Sequence, residues 1–210
     1  MHENVALLAD PKGPPPKPVL HCPTVASRPH LDGRLSDPMW RRAAHAELTS
    51  AMRDDTNWPA TVLMAHDERF LYVGARAKLA PGATYEAPKS PRSRDADLSA
   101  RDRVELLIDI DRDYGTYYRL AVDYRGWPAD DCWSDPTWNP NWYVAAASAD
   151  GTWTAEAAIE LDQIAEAPPR QGTAWAIGIQ RIVPSVGFQS WNAPAAVEVR
   201  PEGFGYLVFE

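Results

Sequence analysis

One stretch constrains the fold of this chain more than any other: residues 101–126, RDRVELLIDIDRDYGTYYRLAVDYRG. Apolar and polar side chains alternate on both sides of its central segment, DRDYG. A period of two is typical of a half-buried strand, so the stretch predicts one antiparallel β-hairpin. The register that places Val104 opposite Val122, and Leu106 opposite Leu120, makes one face of this hairpin apolar.

The other face of the predicted hairpin carries charged side chains. In the same register Arg103 lies opposite Asp123, and Glu105 lies diagonal to Arg119. Two interpretations stay open: these groups bind a ligand, or they form cross-strand ion pairs on a solvated face. Since the apolar face is needed for the core, the charged face is the candidate functional surface.

The remainder of the chain repeats the strand pattern. A second hairpin is predicted around HDER, with strands at Thr61–Ala65 and Phe70–Ala77, and a third around Asp150-Gly151. Further strands are predicted in TAWAIGIQRIV and in the terminal GFGYLVFE, and short helices at PMW and LDQIAEA. Strands recurring with turns between them, and no long helix, predict an all-β fold. We expect an antiparallel β-sandwich, immunoglobulin-like or jelly-roll-like, with one or two short helices.

Proline marks the N-terminal end of the chain. Residues 1–18 are proline-rich and predict an extended linker, so the folded domain is expected at 19–210. Such a linker indicates a monomeric module attached to a longer protein.

Composition excludes several classes of function. The net charge of −8 argues against nucleic acid as a partner, because phosphate binding needs a basic surface. No apolar run is long enough to predict a membrane span, and the N-terminus lacks the basic region of a signal peptide. The chain has two cysteines, Cys22 and Cys132, for which a disulfide and two free thiols both stay open.

Residues 126–144 contain four tryptophans among turn-forming residues and show no alternation. A core strand would alternate, so several of these rings are expected at an edge of the domain, either packed or exposed.

The order of the predicted elements resembles the family 9 carbohydrate-binding modules, within the wider DOMON-like group of β-sandwiches. The segments that carry the resemblance are, in chain order, LDGRLSDPMW, TVLMAHDERFLYVGARA, DRVELLIDI, YYRLAVDYRG, WTAEAAIEL, WAIGIQRI and FGYLVF. The resemblance implies a non-catalytic module that binds a saccharide, in an extracellular or periplasmic setting.

The resemblance also assigns site residues. It places the strand carboxylate of the family at Glu105 and the polar residues of the next strand at Arg119 and Asp123. In sugar-binding members two tryptophans sandwich a terminal sugar, but Ser99 and Glu198 stand at those positions here. The expected saccharide site therefore combines charged strand residues with replacement aromatic platforms from the tryptophan-rich segment: Arg103, Glu105, Arg119, Asp123, Trp138 and Trp142.

The turn DIDRDYG places Asp109, Asp111 and Asp113 at alternate positions. Clustered carboxylates suit Ca²⁺, and the resemblance implies a structural calcium ion. A solvated acidic turn is the alternative.

Three other functions are alternatives to saccharide binding. An enzyme is not expected, because Arg103 and Arg119 would keep the neighbouring carboxylates ionised, with no acid held protonated near neutral pH. An interaction domain without a ligand site is favoured by the two absent family tryptophans. A haem-binding electron-transfer module would need axial ligands, but Met64 and His66 project side by side from one strand and cannot ligate opposite sides of one iron. The remaining candidate ligands are Met39, Met52, His30 and His45.

Overall fold

The computed structural model describes residues 16–192 and 199–210, and these residues form two β-sheets packed face to face. The fold confirms the predicted β-sandwich. Twelve strands are present in the described residues: β1 Val19–Cys22, β2 Ala44–Leu48, β3 Ala60–His66, β4 Phe70–Lys78, β5 Arg103–Asp109, β6 Tyr118–Asp123, β7 Pro128–Cys132, β8 Trp142–Ala149, β9 Thr152–Glu160, β10 Ala174–Val183, β11 Gly187–Ser190 and β12 Gly205–Phe209. The predicted short helices are single 3₁₀ turns at Pro38–Arg41 and Leu161–Gln163, and two more lie at Asp55–Asn57 and Pro201–Gly203.

The larger sheet has the strand order β1-β12-β10-β5-β6-β7, with β11 beside β10, and the smaller sheet has the order β2-β3-β4-β9-β8. All neighbouring strands are antiparallel except β1 and β12, which are parallel. The predicted linker, residues 1–18, lies mostly outside the described residues. Its described end contacts the domain, because the Pro18 carbonyl accepts a hydrogen bond from the Tyr206 N–H.

The central hairpin forms in the predicted register. Val104 is opposite Val122 and Leu106 is opposite Leu120, and all four side chains are buried between the sheets. The facing side of the smaller sheet contributes Trp153, which is completely buried. Burial of this shared apolar face is the main stabilising contribution to the sandwich.

Strand β7 was not predicted, and its sequence explains why. PADDC has no hydrophobic alternation, and it begins with a proline, which sheets tolerate at an edge. Two successive aspartates point to opposite faces of the strand, yet both are buried, Asp130 at 3% and Asp131 at 4% exposure. Each carboxylate is bound by an arginine, Asp130 by Arg94 and Asp131 by Arg119. Paired charges thus replace the apolar residues by which a strand is usually recognised.

The motif LDGRLSDPMW folds around one buried carboxylate, that of Glu156 on β9. Its Oε2 accepts hydrogen bonds from the backbone N–H groups of Asp32 (2.9 Å) and Gly33 (2.7 Å). Its Oε1 accepts from the Leu35 N–H (3.1 Å) and from the Trp40 indole N–H (2.8 Å). The side chain has no solvent exposure, so these four donors hold the segment against the smaller sheet.

A second buried network closes one end of the core. Arg181 is completely buried and donates to both oxygens of Asp102, through Nε at 2.8 Å and Nη2 at 2.6 Å. Tyr85 and Trp153 also donate to Asp102, at 2.7 and 2.9 Å. Burial and the Asp102 carboxylate raise the pKa of Tyr85 to about 12. Because Tyr85 belongs to the long loop between β4 and β5, this network fastens that loop to the sheets.

Both cysteines are free thiols. Cys22 lies on β1 and Cys132 on β7, which are the two edge strands of the larger sheet. The disulfide alternative is therefore wrong, because the width of the sheet separates the two residues.

Candidate functional site

The charged face of the central hairpin is the outer face of the larger sheet, on the side away from the core. Glu105 lies at its centre with only 3% of its side chain exposed. Its carboxylate accepts hydrogen bonds from Arg103 Nε at 2.6 Å and from Gln180 Nε2 at 2.7 Å. Arg119 Nη1 lies 3.6 Å from the same carboxylate. The predicted proximity of Arg103, Glu105 and Arg119 is therefore present in the structure.

Arg119 is the solvent-facing member of this cluster, with 38% of its side chain exposed. Its Nε donates to Asp131 at 2.5 Å, and its Nη2 pairs with the same carboxylate. The guanidinium thus lies between two buried carboxylates, those of Glu105 and Asp131. Fixed in this way, it presents N–H groups to solvent from a defined position.

Asp123 is opposite Arg103 in register, but the two do not pair with each other. Asp123 is completely buried and binds Arg125, with Nη2 at 2.6 Å. Its Oδ1 also accepts the backbone N–H groups of Arg125 (2.9 Å) and Trp127 (3.1 Å). The side chain therefore organises the turn after β6, which is a structural role.

Trp138 and Trp142 lie on the opposite side of the larger sheet from Glu105. Trp138 packs on the ring of Tyr118, with centroids 4.6 Å apart. The Trp142 indole N–H donates to Asp130 Oδ2 at 2.8 Å. Tyr118 and Asp130 alternate in sequence with Arg119 and Asp131, so they point to the core side. The structure does not bring these two tryptophans to the charged face.

Sequence reasoning missed two members of the cluster, Gln180 and Asp131. Gln180 lies opposite Glu105 on β10, which is the other neighbour of β5. Its segment, AIGIQRIV, was predicted as a strand, but the sequence does not reveal which strand lies beside it. Asp131 could be placed only once β7 was recognised as a strand beside β6.

The outer face also carries an aromatic pair beside the charged groups. Tyr117 contacts Phe204 edge-on, with centroids 6.1 Å apart. Phe204 is buried against Leu107 and Ala176, while Tyr117 is partly exposed. Burial and the nearby Asp131 carboxylate raise the pKa of Tyr117, so its hydroxyl is neutral at physiological pH.

Asp109, Asp111 and Asp113 have carboxylate oxygens within 4.8 Å of one another. Both Asp109 oxygens accept backbone N–H groups, from Arg112 at 2.7 Å and from Tyr114 at 3.0 Å. Burial and the neighbouring Asp111 raise the pKa of Asp109. The turn thus supplies three carboxylates, which could provide some of the six to eight oxygen ligands that Ca²⁺ prefers. A calcium ion at this turn stays a prediction.

The candidate haem ligands lie in separate surroundings. Met64 is completely buried in the main core, and Met39 is buried in a second apolar cluster. Nε2 of His66 lies 3.2 Å from both Thr24 Oγ1 and the Glu210 carbonyl. The other three candidates, His30, His45 and Met52, are exposed on separate segments.

Comparison with known proteins now identifies the class to which this sandwich belongs. A family model described as "Carbohydrate family 9 binding domain-like" matches residues 31–208, which is most of the chain. The protein therefore belongs to the family 9 carbohydrate-binding domains, and the resemblance inferred from the sequence is confirmed.

Solved structures agree on the fold. A family 9 carbohydrate-binding module from Caldicellulosiruptor kristjanssonii in complex with cellotriose has a TM-score of 0.69 and 17% identity, covering 92% of this chain and 94% of its own. A family 9 module from the same organism in complex with glucose has a TM-score of 0.64 and 18% identity, covering 90% of this chain and 95% of its own. A search of curated proteins returns no significant match.

Within residues 16–192 and 199–210, no helix has the length and apolar character needed to cross a membrane.

Proposed function

We propose that this protein binds a saccharide on the outer face of its larger sheet, without catalysing a reaction. The observation that carries the proposal is the position of the Arg119 guanidinium. It is held between two buried carboxylates and is open to solvent. The family resemblance assigns Arg119 to ligand contact. A fixed, charged donor is suited to sugar hydroxyls, because it loses little conformational freedom on binding. Solved family 9 structures with cellotriose and glucose support saccharide as the ligand class.

In this proposal the residues have separate roles. Arg119 donates to hydroxyl oxygens of the sugar. Glu105 lies beneath it and fixes its position together with Asp131, while Arg103 and Gln180 hold Glu105. The module would tether a longer extracellular or periplasmic protein to its polysaccharide.

The test is a titration of Trp fluorescence and heat against soluble oligosaccharides, with wild type, Arg119→Ala and a control. The control is Arg76→Ala, which removes an exposed arginine from the smaller sheet. Loss of a charge-assisted hydrogen bond weakens binding by roughly tenfold to a hundredfold. We expect that loss in Arg119→Ala and none in Arg76→Ala. Saturable binding that is equal in all three proteins would place the site elsewhere.

An interaction domain without a saccharide site is the second candidate. It is favoured by Ser99 at one family tryptophan position and by the inward packing of Trp138 and Trp142. Glu198, at the other position, lies outside the described residues. Absence of binding across the whole panel by folded wild type would establish this candidate over the first.

The structural Ca²⁺ belongs to the same proposal, with Asp109, Asp111 and Asp113 as three of its ligands. Calcium bound only by the folded state would raise the thermal unfolding midpoint. We expect this rise for wild type on addition of CaCl₂ and its disappearance in Asp111→Asn. A wild-type midpoint that CaCl₂ and EDTA leave unchanged would refute the calcium site.

A further inference from the structure

The turn after β7 holds a tryptophan in a backbone conformation that disfavours it. Cys132 and Asp135 exchange two backbone hydrogen bonds, of 3.1 and 2.8 Å, and so close a two-residue turn over Trp133 and Ser134. Both central residues have positive φ, +49° at Trp133 and +68° at Ser134. This is the pattern of a type I′ turn, which strongly favours Asn-Gly. A bulky side chain at positive φ is an outlier that suggests a function for the residue.

The Trp133 ring is not stabilised by burial. Trp133 is 66% exposed, whereas the other eight tryptophans of the chain are buried or half-buried. An indole ring is one of the largest apolar surfaces a protein can expose. Neither local conformation nor packing in the domain therefore accounts for tryptophan at this position.

The turn is fastened directly to the charged cluster. The Ser134 N–H donates to Asp131 Oδ1 at 2.9 Å, and Asp131 Oδ2 is the acceptor for Arg119 Nε. The Trp133 N–H donates to the carbonyl of Tyr117 at 2.9 Å, two residues before Arg119 on the same face. The backbone of Trp133 is therefore fixed at the end of β7, two residues after Asp131, which binds Arg119, and its ring is exposed there.

We propose that Trp133 is the aromatic contact for the saccharide bound at Arg119, with the indole face packed against the C–H face of a sugar ring. This inference rests on the proposed function. In this inference the ring that stacks on the sugar comes from Trp133. It does not come from the two family tryptophan positions, where Ser99 and Glu198 stand, or from Trp138 or Trp142. The chemistry favours pyranoses whose hydroxyls are all equatorial, as in gluco- and xylo-configured chains, because their ring faces carry only C–H groups. Arg119 would bind the hydroxyls at the ring edge.

The decisive variant is Trp133→Gly, because it separates a binding role from a structural one. Glycine adopts positive φ without steric penalty, so we expect the thermal midpoint to stay the same or rise. Loss of the stacked ring should raise the Kd for a gluco- or xylo-oligosaccharide by roughly tenfold. Trp133→Phe retains a ring and should lose less affinity. The matched control is Tyr143→Ala, which removes a 51% exposed aromatic ring from the smaller sheet and should leave the Kd unchanged.

The outcomes distinguish this inference from the proposed function. If wild type binds and Trp133→Gly binds equally well, the assignment of Trp133 is overturned, while saccharide binding itself stands. If Arg119→Ala loses binding and Trp133→Gly does not, the same conclusion follows. If folded wild type binds no saccharide, the proposed function fails and the role of Trp133 fails with it. A lower midpoint in Trp133→Gly, with unchanged Kd, would assign the ring to packing and also overturn the inference.

Discussion

Replacing Glu156 by glutamine tests how much one buried carboxylate stabilises the sandwich. Gln has nearly the same shape as Glu, so packing is preserved. The change affects the charge and the hydrogen bonds to four donors: the N–H groups of Asp32, Gly33 and Leu35, and the Trp40 indole. Because a glutamine side chain has one oxygen, its NH₂ group must face two of these donors in either orientation.

The expected cost follows from that geometry. Two hydrogen bonds to a charged acceptor are lost, each worth about 1.5–3 kcal/mol, so the free energy of unfolding should fall by about 3–6 kcal/mol. Domains of this kind are stable by only about 5–15 kcal/mol, so the effect is large. The lost hydrogen bonds all join β9 to one segment, because the four donors lie in residues 32–40.

Urea unfolding followed by Trp fluorescence measures this change, with Glu160→Gln as the control. Glu160 is on the same strand and the same face, but its partner Arg69 has 59% of its side chain exposed. Glu160 itself is buried, but only one arginine pairs with it, so Glu160→Gln should cost about 1.5–3 kcal/mol, less than Glu156→Gln. A cost below about 1 kcal/mol for Glu156→Gln, or equal costs for the two variants, would refute the idea that the carboxylate organises the turn.

Three further predictions concern stability. Arg181→Met leaves the buried Asp102 carboxylate without its cation and should lower the free energy of unfolding by about 3–5 kcal/mol in the same urea assay; a change within 1 kcal/mol would contradict this. Gly33→Ala should cost at least about 2 kcal/mol by the same measurement, because φ is +81° and the added Cβ would lie 2.4 Å from the Ala146 carbonyl carbon; wild-type stability would show that the turn can move away. The pKa of Tyr85 is raised from 10.0 to about 12, so its stabilising contribution is complete below pH 10 and is lost as the pH rises towards 12. The stability difference between wild type and Tyr85→Phe should therefore shrink between pH 10 and 12 in thermal melts, and a constant difference would argue against a buried neutral hydroxyl.

The alternation of apolar and polar residues along the sequence, together with the turn residues, was enough to predict the hairpins and the class of fold. The alternation around Val104 and Leu120 predicted both strands and their register, because a shift by one residue would have turned every apolar side chain to solvent. Asp150-Gly151 predicted its turn for a similar reason, since positive φ values there favour these residues. The ordered motifs were also sufficient to identify the family.

The alternation of apolar and polar residues did not predict the elements in which charged side chains are buried as pairs. Strand β7 has no apolar alternation, because Asp130 and Asp131 are each bound by an arginine from another segment. Asp123 was placed on the correct face, but its partner proved to be the nearby Arg125 and not Arg103. A carboxylate on a predicted face does not reveal which cation reaches it, because that depends on loops whose paths the pattern leaves open.

The sequence by itself determined the β-sandwich, the central hairpin and the face on which Glu105 and Arg119 lie. Only the tertiary structure decided what surrounds them: Gln180 from β10, Asp131 from β7, and Trp133 exposed at the edge while Trp138 packs inward. The physical reason is that a period-two pattern fixes the side of a strand locally, within a few residues. Neighbours across a sheet come from strand order, which is set by the packing and hydrogen bonding of segments far apart in the chain.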